Sequence, residues 1–147
     1  MEIKVICNSK ERRGFILAVA TLYAQLLNIR GSRYQIHIYT IPNLSKEQGS
    51  AGTVGKMNGT KIPRILVMLD SRLSARKLIR ILAHEFIHVK QHVRGQLKGY
   101  IRKDGKYGWR WMGKIVRAEY DDQPWEIEAR KREVILGNAL IDLLNVA

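Results

Sequence analysis

The segment His84-Glu85-Phe86-Ile87-His88 sets two imidazoles four residues apart, with a carboxylate directly after the first. On a helix, residues four apart lie one turn above each other on the same face, so both rings can point at one divalent ion. Two histidines and a third ligand leave zinc a coordination position for water, whose pKa falls toward neutrality there. Glu85 can reach that water without occupying the ion, taking its proton as it attacks a carbonyl and passing it to the leaving amine. Hydrogen-bonded histidines and a solvated glutamate on a half-buried helix would be the plain alternative. A shuffled chain of this composition holds His-Glu-x-x-His in about one case in 200, which favours His84 and His88 as metal ligands and Glu85 as the catalytic base.

A third ligand is needed, and the single cysteine, Cys7, rules out a cysteine-based zinc site. His92 continues the four-residue series but lies about 12 Å along the helix axis from His84, too far for three rings to close on one ion. A glycine after the second histidine could break the helix and bring it back, but Gln91 stands there. Glu126, in Pro124-Trp125-Glu126-Ile127-Glu128-Ala129, is the better candidate, since a glutamate from a second helix completes a His2Glu catalytic set with Zn2+ as the cofactor. Glu128 competes with it. The two differ by about 200° around a helix, so only one can face the metal. Ala129 is small enough to let the two helices approach. Glu126 would also suit a positive helix N-terminus without any metal, and iron or manganese could occupy the same ligands. Among the other acids of residues 119–128, one could accept the free N–H of a ligating histidine, while Asp121 and Asp122 suit helix capping.

These side chains need elements to hold them. Glu2–Asn8, Tyr34–Ile41 and Ile62–Asp70 read as strands, and residues 49–59, with Gly49, Gly52, Gly55 and Gly59, as a loop or an irregular edge strand. Gly55-Lys56-Met57 lacks the ending of a phosphate-binding loop. Helical spacing predicts helices over Arg13–Ile29, stopped by Gly31, and over Ala75–Arg94, capped by Ser71 or Ser74 and ended by Gly95 and Gly99. Tyr107 to Tyr120 suggests a short hairpin, and Pro124 opens a last helix from Trp125 to Asn145. Such an order predicts one α+β domain over residues 1–147, a small mixed sheet packed on the His84–His88 helix and a C-terminal glutamate helix.

The net charge is +13. Residues 51–118 carry 16 basic and 3 acidic groups, whereas residues 119–147 carry 3 basic and 7 acidic ones. A basic stretch of that size suits a polyanionic partner, nucleic acid foremost, although a well-solvated surface would account for it too. The apolar run Gly14–Ile29 is too short to span a bilayer and is interrupted by Thr21, Tyr23 and Gln25, so a buried helix is expected and no membrane partner. The lone cysteine suits a reducing compartment, hence a cytoplasmic location.

His84-Glu85-Phe86-Ile87-His88-Val89-Lys90-Gln91, Trp109-Arg110-Trp111, and Tyr120 through Ala129 together resemble small bacteriophage-encoded metallopeptidases of the zincin class, with minimal gluzincins and SprT-like domains as the broader relatives. The resemblance covers residues 62–132. It implies a zincin-like fold, a peptide or protein substrate, and a host cytoplasmic location. The gluzincin pattern of a glutamate followed three residues later by alanine matches Glu126 and Ala129, whereas the later histidine of SprT-like proteins has no counterpart after His92. It further implies an edge strand beside the active helix, at Ile65–Leu69, that binds an extended peptide by strand addition. Tyr107 or Tyr120 could polarise the oxyanion, though aromatic packing suits both. Two other functions fit the sequence: a nucleic-acid-associated phage protein with a structural, non-catalytic zinc, and a zinc hydrolase acting on a non-peptide amide.

Overall fold

The computed structural model describes residues 1–57, 59 and 61–147. Strand β1 (Glu2–Ile6) leads into helix α1 (Lys10–Leu26), capped by the Ser9 hydroxyl. Strand β2 (Gln35–Ile41), the short helix α2 (Leu44–Gln48), and strands β3 (Gly52–Met57) and β4 (Arg64–Asp70) follow. Next come helix α3 (Ala75–Val93), strands β5 (Leu97–Ile101), β6 (Tyr107–Trp111) and β7 (Lys114–Val116), a 3-10 turn at Tyr120–Asp122, and helix α4 (Pro124–Leu144). The result is an α+β fold with four α-helices and two sheets among the described residues.

The first sheet has the order β1-β2-β4-β3, with β1, β2 and β4 parallel and β3 antiparallel to β4. Its core face carries Ile36, Ile38, Ile65, Val67 and Leu69, which bury against Ile16, Val19 and Tyr23 of α1 and Leu78, Leu82 and Phe86 of α3. Each such side chain contributes about 1.5–3 kcal/mol on full burial, which is what fixes α3 against the sheet. The Tyr23 hydroxyl donates to the Ile79 carbonyl at 2.8 Å, so even the polar atom in this layer is satisfied. The second sheet is the antiparallel meander β5-β6-β7.

Helix α3 starts where expected, with Ser74 accepting from the Lys77 amide, and gives way to Gly95 in a left-handed conformation (φ 67°). Four expectations differ. Ile65–Leu69 is not an edge strand: β4 is paired on both sides, and the edge beside α3 is β3. Gly99 does not end a helix but sits inside β5, where the Tyr107 ring occupies the space a side chain would need. Asp121 and Asp122 do not cap α4; Gln123 stands at the cap position without a side-chain bond, and Pro124 opens the helix. Helix α1 stops before Gly31, because Asn28 adopts the left-handed conformation. No helix among the described residues is long and apolar enough to cross a membrane.

Candidate metal centre

Helices α3 and α4 run against each other, and the small residue Ala129 is fully buried between them. Gly137, two turns further on, meets Arg80, where a Cβ would come within 3.3 Å of Arg80 Cγ. That close approach brings the first turn of α4 over the middle of α3. Glu126 then meets both histidines: its Oε2 lies 3.3 Å from His84 Nε2 and its Oε1 3.1 Å from His88 Nε2. The two Nε2 atoms are 3.1 Å apart. A tetrahedral ion with bonds of about 2.0–2.1 Å sets neighbouring ligand atoms about 3.3 Å apart. The triangle formed by His84, His88 and Glu126 has that size.

The outer nitrogens of both rings are occupied. His84 Nδ1 faces the Glu133 carboxylate, and His88 Nδ1 lies 2.8 Å from Gln91 Oε1. Gln91 is oriented in turn, its Nε2 donating to the Trp125 carbonyl at 3.0 Å and to Glu128 Oε1 at 3.1 Å. The partners therefore require Nδ1–H on each ring, which leaves lone pairs on both Nε2 atoms. Two lone pairs and a carboxylate thus converge on one small space. Only a cation, either a metal ion or a proton, makes that arrangement favourable. This donor set fits a zinc-type ion.

Without a metal, a proton takes its place. Burial opposes charge on His84, but Glu126, Glu85 and Glu133 outweigh it and raise its pKa to about 9. Glu126 moves the other way: burial favours its neutral form, yet hydrogen bonds with both imidazoles hold it well below the usual carboxylate range. Tyr120 donates to Glu126 Oε2 at 3.0 Å although its ring is largely exposed. Aromatic packing is therefore not the setting of Tyr120. Tyr107 packs edge-on to Trp109 instead, and it does not line the cleft that holds the cluster.

Glu85 is buried one residue from His84, and its carboxylate makes no hydrogen bond among the described residues. Burial, opposed by His84 and His88, lifts its pKa to about 7. The side chain lies over Gly52 at the start of β3, where a Cβ would come within 2.8 Å of Glu85 Oε1. The surrounding cleft encloses about 770 Å³, with β3 residues Gly52, Thr53 and Val54 on one wall and Trp109 and Trp125 at one end.

The other candidates sit elsewhere. Glu128 turns away from the cluster to Lys90 Nζ at 2.5 Å, and the Lys90–Glu128 pair holds Gln91. His92 lines the cleft beside Trp109, ring centroids 6.2 Å apart, outside the converging triangle. Its pKa falls to about 4 through burial and then the nearby His88 and Lys56, so the ring is neutral. Glu133 and Gln91 were not singled out in the sequence as partners of the histidines. Their spacing carries a signal, since Glu133 lies seven residues, about two turns, after Glu126, and Gln91 three after His88. No protein-family model matches the chain, nor does any curated protein or solved structure.

Proposed function

We propose that this protein is a zinc-dependent metallopeptidase of the zincin type, with His84, His88 and Glu126 as ligands and Glu85 as general base. The observation that carries this proposal is the convergence of three acceptor groups whose imidazoles are both pinned with their lone pairs inward, beside a buried carboxylate with no hydrogen bond among the described residues. A zinc ion there would supply a polarised water and a Lewis acid for the carbonyl under attack. Glu85 removes the proton from the attacking water and delivers it to the leaving nitrogen, a role suited to a carboxylate titrating near neutrality. Tyr120, already donating to Glu126 at the mouth of the cleft, stands within the same site to donate to the developing oxyanion.

Substrate binding falls to β3. Its outer edge has no strand partner among the described residues, and its first residues line the cleft beside Glu85, so an extended peptide would add to the sheet there through main-chain hydrogen bonds. That supports a peptide substrate over a small amide.

Metal analysis of the purified wild type, Glu126→Ala, Glu128→Ala and Glu85→Gln, followed by cleavage of unfolded casein, tests the proposal. The wild type and Glu85→Gln should each hold one zinc, Glu126→Ala none, and only the wild type and Glu128→Ala should cleave. A metal-free wild type, or a Glu85→Gln variant as active as the parent, would overturn it.

A further inference from the structure

The cations of the basic middle segment differ in their surroundings: some have internal partners, five from Lys61 to Arg80 (Lys61, Arg72, Arg76, Lys77 and Arg80) are exposed without a carboxylate partner among the described residues, and the rest lie on the β5–β7 meander. Several have internal work: Lys90 pairs with Glu128, Arg94 donates to the Leu27 carbonyl at 2.9 Å, Arg64 reaches Gln35, and Lys56 lies over the Tyr34 ring. The β5–β7 meander gathers six exposed cations on one small sheet and its turns. Lys98, Lys103, Lys106, Arg110, Lys114 and Arg117 are all exposed, and none has a carboxylate within ion-pair distance among the described residues. Residues 97–117 contain one acid, Asp104, which is taken up by Arg102 at 2.9 Å.

Strand register shows how these charges are displayed. Leu97, Trp109 and Trp111 share the inner face, where both tryptophans pack near Trp125. Lys98 and Arg110 are direct cross-strand partners on the opposite, outer face, a position that sets Cβ atoms about 5 Å apart, with exposed Ile115 beside Arg110. Tyr100 follows on the same face over Gly108, with the Arg110 guanidinium 5.0 Å from its ring centroid. Like charges directly opposite each other destabilise a sheet, and among the described residues no carboxylate pairs with either; the Tyr100 ring is the one group that offsets Arg110.

We infer that the outer face of the β5–β7 sheet binds the phosphate backbone of nucleic acid. Lys98 and Arg110 stand on this face and Lys103 and Lys106 in the β5–β6 turn beside it, whereas Lys114, opposite Trp111, belongs to the inner face; such a cluster of cations without carboxylate partners among the described residues matches a regularly spaced polyanion, which releases counterions on binding. Tyr100 is partly covered by Arg110, so the face reads phosphate rather than bases, and binding is independent of sequence. An anionic membrane fits less well. The exposed apolar side chains Ile101 and Tyr107 point to the inner side near one turn, and Met112 sits at the other turn, so no single apolar edge can insert beside the cations. An acidic protein would need an apolar centre for its interface, and the cationic face offers only Ile115.

Fluorescence anisotropy of the full chain with a labelled mixed-sequence oligonucleotide, single-stranded and duplex, tests this. Binding should be measurable at about 50 mM salt and weaken about 100-fold by 200 mM if five phosphates of a single strand are contacted. Lys98→Glu with Arg110→Glu should weaken it at least about tenfold, as should Lys103→Glu with Lys106→Glu at the exposed turn, the deciding pair if the first does not fold. Arg76→Glu with Lys77→Glu, at the start of α3, should leave binding within about twofold, and so should Glu126→Ala, which separates this surface from the metal centre. No binding at low salt, salt-independent binding, a larger loss from the Arg76 and Lys77 pair, or preferential binding to phosphatidylserine vesicles would overturn the inference.

Discussion

Glu85 and Glu126 approach the same pair of imidazoles from two helices, and their surroundings drive them in opposite directions. Burial favours the neutral form of both. At Glu85 burial prevails and the pKa rises to about 7, whereas at Glu126 the hydrogen bonds with His84 and His88 win. One carboxylate is thereby suited to moving protons and the other to staying anionic as a ligand. With Glu85 as the base, activity should increase with pH through an acid limb at or below about 7, because only the carboxylate accepts a proton. A cation in the cluster favours that carboxylate, as the imidazoles already do. Glu85→Gln should lose about 10²–10⁴ in rate together with that limb, which a pH–rate profile of both proteins measures. Gln91 carries a second prediction at this scale. Gln91→Leu removes the acceptor for His88 Nδ1 and should weaken metal binding about 10–100-fold in a chelator competition, whereas Glu128→Ala, which leaves the Gln91 amide its bond to the Trp125 carbonyl, should weaken it less.

At the scale of elements, Gly52 joins β3 to α3. A Cβ there would meet Glu85 Oε1 and Ile81 Cγ2, both at 2.8 Å. The carboxylate is the flexible neighbour, so Gly52→Ala should displace Glu85 while α3 stays seated. Hydrolysis should then fall at least about tenfold with zinc content and melting temperature nearly unchanged; a matching loss of zinc would place the damage in the helix instead. The same elements show what the sequence could reveal. Helix α3 was legible because its apolar spacing, its Ser74 cap and Gly95 are local signals, and the His84–His88 spacing follows once the helix is granted. The order of strands was not. Ile65–Leu69 is a continuous apolar run, as suits an interior strand paired along both edges, and the glycine-bearing Gly52–Met57 is what an edge tolerates. Strand β5 was hidden by Gly95 and Gly99, which look alike in sequence; one ends a helix, while the other makes room for a tyrosine from the next strand. Glu126 and Glu128 were separable only by helix rotation, which a sequence does not fix. Their partners in the fold, the histidine pair for one and Lys90 for the other, do fix it.

At the scale of the whole molecule, the cluster ties α3 to α4 across some 40 residues of chain, so its charge state affects stability. In the metal-free protein, the folded state raises His84 from its ordinary 6.5 to about 9. The stabilisation from its proton is complete below about 6.5 and is lost as pH rises through about 9. Glu126, lowered on folding, adds stability that is present above its ordinary 4.5 and lost as pH falls well below it. The metal-free cluster thus stabilises the fold most between these limits and loses its grip on the alkaline side. An ion held by His84, His88 and Glu126 replaces the proton and does not depart as pH rises. It adds about 2.7 kcal/mol when present at 100 times its dissociation constant. The melting temperature of chelator-treated protein should therefore fall between pH 7 and pH 10 more steeply than that of zinc-loaded protein, and the gap between the two should widen. Followed by circular dichroism with stoichiometric zinc, a gap that stayed constant or narrowed would mean that proton and metal do not compete for the same three atoms.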